Sequence, residues 1–143
     1  MTDGSLEECI LEGHIIKISP DKEKAISLKK IALGRINFIN KIKLTNHNAQ
    51  YIFESYYTSL NELLQSIAYL KGYKILNHIC LGYFLKDILN MKEYYDVFNF
   101  LRKKRNSLVY YGDTIEKDLA ITLINQCKKL INILLKEIEK LER

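Results

Sequence analysis

The sequence contains few residues that interrupt helices, with one proline and six glycines among 143 residues. Proline removes a backbone donor and glycine adds backbone freedom, so long helices can run between these positions without a break. The glycines are also scattered, and they do not form the glycine-rich loop that holds phosphates in Walker-type or Rossmann-type nucleotide sites. The sequence therefore favours a helical protein and gives no support to those two nucleotide-binding classes.

Cysteine is also scarce, with three residues at widely separated positions, Cys9, Cys80 and Cys127. An odd number of cysteines set among apolar residues argues against a disulfide framework and against a CxxC metal site. His14 and His78 lie near two of these cysteines but do not complete a zinc ligand set. We therefore expect three buried thiols, a reducing compartment, and neither a metal nor another cofactor.

Long apolar runs are missing as well. No stretch approaches the length of about 18 residues that suggests a membrane-spanning helix. Asp3, Glu7 and Glu8 make the N-terminus acidic, whereas a secretory signal peptide begins with basic residues. We expect a cytoplasmic protein that does not associate with a membrane.

Most of the chain carries apolar residues at helical spacing. With 48% hydrophobic residues, the chain is long enough for one domain with a core. The first two long helices are expected to pack as an antiparallel hairpin, and no strand pattern of useful length competes with the helical one. The spacing predicts helices from Asp21 to near Lys43, from the Thr45–Asn48 break to Gly72, from Asn77 to near Asn90, from about Lys92 onward, and a last helix capped by Thr114 or Asp113.

The first 20 residues have a separate character. Ser5 and Glu8 have the spacing of a capping box and Gly13 is a natural C-terminal stop, so a short helix is predicted there, followed by an extended segment. Residues 21–143 would form the helical bundle, in a single domain overall. We predict an all-α fold, an up-and-down bundle of four main helices plus a short N-terminal helix.

One segment, Leu101–Gly112, combines charge, hydrogen-bonding groups and aromatic rings. Its cations suit phosphate or nucleic acid, and the chain has a formal net charge of +5. The alternative is that these cations form only a solvated face. The candidate binding residues are Arg102, Lys103, Lys104 and Arg105, followed by Asn106, Tyr110 and Tyr111.

Arg105 lies on the apolar stripe of its helix, in line with Phe98 and Leu101, whereas Arg102 and the two lysines can face solvent. A guanidinium on such a face needs an anionic or hydrogen-bonding partner. That partner is either a carboxylate of this chain or a phosphate or second-subunit group in a cleft. Tyr110 follows five residues later, about 140° around an unbroken helix. The two side chains would converge only if the helix ends here, or if two copies of the segment meet.

The chain resembles the HEPN superfamily in several segments: SPDKEKA at the start of the first long helix, YIFESYYTSLNELLQSIAYLKGYKILNH through the second helix to His78, and RKKRN before the final helix. The resemblance extends from about Asp21 to Leu141. HEPN proteins are small all-α prokaryotic domains, often encoded beside minimal nucleotidyltransferases. Their hallmark is an Arg, usually followed by a polar residue such as Asn, with a His four to six residues further on. Many are metal-independent endoribonuclease toxins in which the Arg and His of two subunits line a cleft at the dimer interface.

This resemblance places Arg105 and Asn106 at the motif positions but puts Tyr110 where the His would stand. Imidazole, with a pKa near 6.5, exchanges protons at neutral pH, whereas a free phenol has a pKa near 10 and is a poor general base. The resemblance thus implies a catalytically degenerate homodimer that binds RNA or a nucleotide, or that partners a minimal nucleotidyltransferase in a toxin–antitoxin type pair.

Two alternatives remain open. The first is an endoribonuclease using Arg105, Asn106 and Tyr110 at a dimer interface, and the second is a structural bundle without a ligand. Some HEPN toxins also carry a tyrosine that the partner modifies with AMP. That position is Gly112 here, which leaves Tyr110 and Tyr111 as substitutes. His78 is expected to be a structural residue at the start of its helix.

Overall fold

The computed structural model describes residues 4–112 and 114–143. Helices account for most of these residues, which confirms the all-α prediction in broad terms. The helices are α1 (Leu6–Leu11), α2 (Lys22–Ile39), α3 (Ala49–Lys71), α4 (His78–Tyr83), α5 (Lys92–Tyr110) and α6 (Lys117–Leu141). One wider, π-type turn over Phe84–Ile88 continues α4, and two short strands, β1 (Ile15–Lys17) and β2 (Tyr73–Ile75), complete the fold.

The centre of the protein is α3, which buries side chains around most of its circumference. The α2 helix packs against it in the opposite direction. This is shown by Ser66, near the end of α3, which donates a 2.8 Å hydrogen bond to the carbonyl of Ala25, near the start of α2. Further along the pair, Arg35 forms an ion pair with Glu62. The predicted antiparallel hairpin is therefore confirmed, although α2 ends at Ile39 rather than near Lys43.

Two contacts fix the direction of α6. Asn46, just before α3, accepts a 2.9 Å hydrogen bond from the backbone N–H of Lys117 at the start of α6. At the other end, Lys29 of α2 contacts Glu142 at 2.7 Å. The α6 helix therefore runs parallel to α3 and antiparallel to α2.

The predicted cap of the last helix was wrong in position. Its N-cap is Glu116, which makes no side-chain capping bond. Asn46 satisfies the backbone N–H of Lys117 instead, from a loop distant in sequence. Thr114 lies before the cap, and Asp113, the other candidate, lies outside the described residues. A long-range partner of this kind leaves no local signal.

The two short strands are an addition to the predicted all-α fold, and β1 lies in the segment that was expected to be extended. They pair antiparallel, with Ile15 opposite Ile75, and both of these side chains are buried. Gly72 allows the backbone after β1 to lie close to the backbone before β2. It adopts φ 86°, and an added Cβ there would lie 2.7 Å from the carbonyl of Ile18. Each strand has only three residues, too few for an alternating apolar pattern to be detected.

The expectation of three free thiols was wrong for two of them. Cys9 of α1 and Cys80 of α4 form a disulfide, and both are fully buried. The β1–β2 pairing brings their helices together although the two residues are 71 positions apart. Cys127 alone is a buried free thiol, and burial raises its pKa to about 12. The expected reducing compartment was inferred from unpaired cysteines, so it is no longer supported.

Local capping signals were more reliable. Ser5 accepts a hydrogen bond from the backbone N–H of Glu8, and Asn77 accepts one from Cys80, as predicted for the starts of α1 and α4. The predicted helix from Asn77 to near Asn90 is divided into α4 and the π-type turn.

Among the helices of residues 4–112 and 114–143, none is long and apolar enough to cross a membrane.

Candidate functional site

The apolar stripe of α5 determines which of its cations approach the rest of the protein. Phe98, Leu101 and Leu108 are buried against the core. Arg105 lies on the same side and is half-buried, with its guanidinium carbon 5.9 Å from the centre of the Tyr57 ring of α3. The guanidinium on this stripe therefore packs against α3 rather than extending into solvent.

This face of α5 forms one wall of an open cleft, and the start of α4 forms the other. The cleft has a volume of about 360 Å³, which falls within the range of about 300–1,000 Å³ typical of small-molecule sites. Its lining side chains are Asn77, His78 and Ile79 from the start of α4, and Arg102, Arg105, Asn106 and Tyr110 from α5. Basic and hydrogen-bonding groups thus predominate in it.

Arg105 is held by aromatic rings rather than by an acid. Its guanidinium carbon lies 5.9 Å from the centre of the Tyr110 ring as well as from that of Tyr57. Its Nη1 also donates a long, 3.5 Å hydrogen bond to Asn106 Oδ1. No carboxylate among the described residues forms an ion pair with it. Within that part of the chain, its positive charge is not neutralised.

Arg105 and Tyr110 meet within one chain, although their spacing places them on different faces of an unbroken helix. The helix ends at this point: α5 stops at Tyr110, Tyr111 is its C-cap, and Gly112 follows with φ 70°. The side chains of Arg105 and Tyr110 therefore converge at the end of the helix, which is one of the two arrangements expected from the sequence. This contact does not need a second subunit.

The second arginine of the cleft, Arg102, is one turn from Arg105. Its Nη2 and Nε donate to Asn99 Oδ1 at 2.8 Å and 3.2 Å. These two bonds hold the side chain along α5 at the edge of the cleft. Arg102 therefore lies beside Arg105, and not with the lysines on the solvent side as expected.

The remaining residues of the basic segment lie outside the cleft. Lys103 is exposed, and the ammonium group of Lys104 lies 5.5 Å from the centre of the Phe100 ring. Tyr111 is also exposed and does not line the cleft. The four consecutive cations are thus divided, with two arginines in the cleft and two lysines away from it.

Three cleft residues were not identified from the sequence as part of a site: Asn77, Ile79 and His78. Of these, His78 has a titratable side chain. It begins α4, as expected, but its Nδ1 is 3.2 Å from the hydroxyl of Tyr57 and 3.2 Å from Nδ2 of Asn61. Its pKa is lowered, mainly by burial and also by the positive charges of Arg105 and Arg102. No local pattern could have indicated this, because the neighbours of the ring come from α3 and α5.

Tyr57, which contacts Arg105 and His78 from the core side, is neutral. Tyr57 is fully buried, and burial raises its pKa to about 12 despite opposing effects of a hydrogen bond from Asn61 and of the charges of Arg105 and Arg102. It therefore keeps its proton and can act as a hydrogen-bond donor throughout the ordinary pH range. No carboxylate among the described residues forms an ion pair with either arginine of the cleft.

The other cavities have a different character. A groove between α2, α3 and α6 contains Asn40, Tyr56 and Lys128 among mainly isoleucine and leucine side chains. Another opening, near the start of α6, is bordered by Glu116 and Asp118 and would repel an anion. In the described ranges, no group of three or more His, Cys, Asp or Glu side chains is placed to hold a metal ion.

Comparisons with protein-family models, with curated proteins and with solved structures gave no significant match. The resemblance to HEPN domains therefore rests on the sequence segments alone.

Proposed function

We propose that this chain is a HEPN-like helical domain with a degenerate motif that binds RNA, or a nucleotide, through phosphate groups held in the cleft between α4 and α5. The observation that carries the proposal is that Arg102 and Arg105 line the same cleft and have no acidic partner within the described residues. Guanidinium groups pair well with phosphate because their planar N–H donors match its oxygens.

The neighbours of Arg105 suit this role. The rings of Tyr57 and Tyr110 restrict the guanidinium, so less side-chain freedom would be lost when a phosphate binds. Asn106 can hydrogen-bond a second phosphate oxygen or a sugar hydroxyl. Tyr110 is 67% exposed, so its ring is accessible to stack against a base, an interaction worth about 1–3 kcal/mol per base.

Binding of an RNA oligonucleotide at several salt concentrations tests this proposal. Arg105→Ala should weaken binding and reduce the slope of log affinity against log salt by about one, because one phosphate contact is lost. Lys103→Ala is the matched control, since it removes the same charge from an exposed position on the same helix outside the cleft. Equal effects of the two substitutions would contradict a role for the cleft, and no binding by the parent would leave the structural bundle as the better description.

An endoribonuclease is the second candidate, because Arg105, Asn106 and Tyr110 come together in a single chain. Arg105 would bind the scissile phosphate, and Asn106 would position it. The adjacent ribose 2′-hydroxyl would attack phosphorus and lose its proton to water, while the hydroxyl of Tyr110 would donate a proton to the leaving 5′ oxygen and regain one from water. Incubation with total RNA in the presence of a chelator separates this candidate from simple binding. Cleavage by the parent, but not by Arg105→Ala or Tyr110→Phe, would support the enzyme, whereas binding without cleavage would rule it out.

We also propose that the surface beside the cleft contacts a second copy of the chain or a minimal nucleotidyltransferase. Exposed apolar side chains support this, namely those of Ile79, Val109 and Tyr111. If the chain forms a homodimer through this surface, Val109→Asp should shift its mass in light scattering towards the monomer. An unchanged mass of a dimeric parent would place the interface elsewhere.

Tyr110 and Tyr111 are also exposed enough to accept AMP from such a nucleotidyltransferase. The phenolic oxygen would attack the α-phosphate of ATP, with loss of pyrophosphate and of the phenolic proton. Coexpression with a minimal nucleotidyltransferase and mass spectrometry of the intact chain tests this step. Absence of the added AMP mass, or its persistence after both tyrosines are replaced by Phe, would contradict it.

A further inference from the structure

The cleft contains an imidazole that comes from a different helix from the arginines. His78, the first residue of α4, lines the cleft together with Arg102 and Arg105 of α5. The motif position on α5 holds a tyrosine instead of a histidine. Among the described residues that line the cleft, His78 is the one histidine.

Hydrogen bonds on the buried side of the ring fix its orientation. Nδ1 faces the Tyr57 hydroxyl and the Asn61 carboxamide, each at 3.2 Å. Both neighbours belong to α3 and both are buried, Tyr57 completely and Asn61 to 6% exposure. Because Nδ1 is directed to the core, Nε2 on the far side of the ring is the nitrogen left to meet a ligand.

The same hydrogen bonds define the tautomer of the neutral ring. In the present orientation of the Asn61 carboxamide, Nδ2 donates to Nδ1, and this orientation assigns the proton of the neutral ring to Nε2. Among the described residues, Nε2 has no hydrogen-bond partner in the protein. The neutral ring therefore presents an unused N–H donor beside the two guanidinium groups.

The network can also accommodate a second proton on the ring. The Tyr57 hydroxyl can turn to accept a hydrogen bond from Nδ1–H. Asn61 Oδ1 is buried and has no partner among the described residues, so rotation of the carboxamide would offer it to the same proton. A proton on Nδ1 would thus find an acceptor in the core.

Among the described residues, the charged groups that act on His78 are two arginines, both positive. From α5 it faces Arg102 and Arg105, in a cleft that Tyr110 also lines, and from α3 it faces Tyr57 and Asn61, which are uncharged. The two guanidinium groups and burial favour the neutral ring. A phosphate placed between the arginines would offset their charge and favour the protonated ring.

We propose that His78 is a pH-dependent contact of the phosphate site, which when protonated joins Arg102 and Arg105 as a third cationic donor, so that phosphodiesters bind more tightly at acidic pH. This inference rests on the proposed phosphate binding and adds a residue and a pH dependence to it. Because the imidazole takes up one proton on binding, the affinity changes by at most about tenfold per pH unit.

A fluorescent oligouridylate is a suitable probe, because neither its phosphodiesters nor its uracil bases titrate between about pH 5 and about pH 8, where histidine does. A rise of one unit in the pKa of His78 on binding would make the affinity at the acidic end of this range greater than at the alkaline end, by up to about tenfold. His78→Gln, which keeps an N–H donor but cannot be protonated, should bind with similar affinity at both ends. His47→Gln, at an exposed position, is the matched control and should retain the pH dependence of the parent.

NMR titration of the imidazole signals gives an independent readout. The His78 signal is identified by its loss in His78→Gln, and its midpoint should move to higher pH when saturating oligouridylate is added. An unchanged midpoint, or a His78→Gln variant with the pH dependence of the parent, would overturn the proposal while leaving phosphate binding by the arginines intact. If the parent does not bind oligouridylate at any pH, the proposed function itself fails, and this inference fails with it.

Discussion

The guanidinium of Arg105 lies over the ring of Tyr57, with 5.9 Å between its central carbon and the ring centre. The hydroxyl of the same tyrosine contacts Nδ1 of His78. One buried side chain of α3 therefore positions a cation of α5 and an imidazole of α4 on the same cleft. The cleft depends on this contact between three helices.

The stacking of Arg105 can be separated from its charge. Arg105→Lys keeps the charge but loses the planar group that lies over Tyr57 and offers paired donors to phosphate. We expect oligonucleotide affinity to fall by about tenfold, equivalent to about 1.4 kcal/mol, with the salt dependence of the parent. If affinity were fully retained, a point charge would be sufficient at this position and the planar stacking would have no role in binding.

His78 should make stability depend on pH. Its pKa in the folded protein is lowered from the ordinary value of 6.5 by burial and by the nearby arginines. Between the folded pKa and 6.5, the unfolded chain binds more protons, so the free energy of unfolding rises with pH in that window. The contribution of His78 is complete above 6.5 and is lost as the pH falls through the folded value.

Urea unfolding at a series of pH values checks this expectation. The His78→Gln variant should show a smaller loss of stability on acidification than the parent. His47→Gln, in an exposed loop, again serves as the control and should follow the parent. An equal loss in all three proteins would assign the acid sensitivity to other groups.

The Cys9–Cys80 disulfide should contribute substantially to stability. It closes a long loop, since its cysteines are 71 residues apart, and the chain-entropy estimate for such a loop is about 4 kcal/mol. Cys9→Ser should therefore lower the free energy of unfolding by about 2–5 kcal/mol. Added reductant should destabilise the parent but not this variant.

Thiol titration provides a direct check of the pairing. The protein unfolded without reductant should react at Cys127 alone, because that is the free cysteine. Reaction at all three cysteines would show that the disulfide does not form. Cys127→Ala is the control variant, and it should keep the effect of the reductant on stability.

Two glycines should respond to substitution in opposite directions. Gly72→Ala places a Cβ 2.7 Å from the carbonyl of Ile18 on a backbone with φ 86°, so it should cost more than about 1 kcal/mol. Gly34 lies within α2 with open space around it, and Gly34→Ala should stabilise the helix by about 0.5–1 kcal/mol. Thermal unfolding of both variants measures the difference. A neutral Gly72→Ala would contradict the tight approach of the two segments.

Much of the helical structure could be predicted from the sequence because its signals are local. Apolar spacing indicated the buried stripes of α3, α5 and α6, and the capping residues Ser5 and Asn77 marked two helix starts. The signals were weaker where structure depends on distant partners. The paired strands and the capping of α6 by Asn46 had no local pattern.

The sequence by itself determined that the chain is mainly helical and that Arg105 lies on an apolar stripe, because helical period and side-chain hydrophobicity are properties of neighbouring residues. Only the tertiary structure decided that Arg102 accompanies Arg105, that His78 faces them, and that Cys9 meets Cys80. These relationships depend on which faces of separate helices pack together. Many side chains far apart in sequence determine that packing jointly, so no single segment of this chain encodes it.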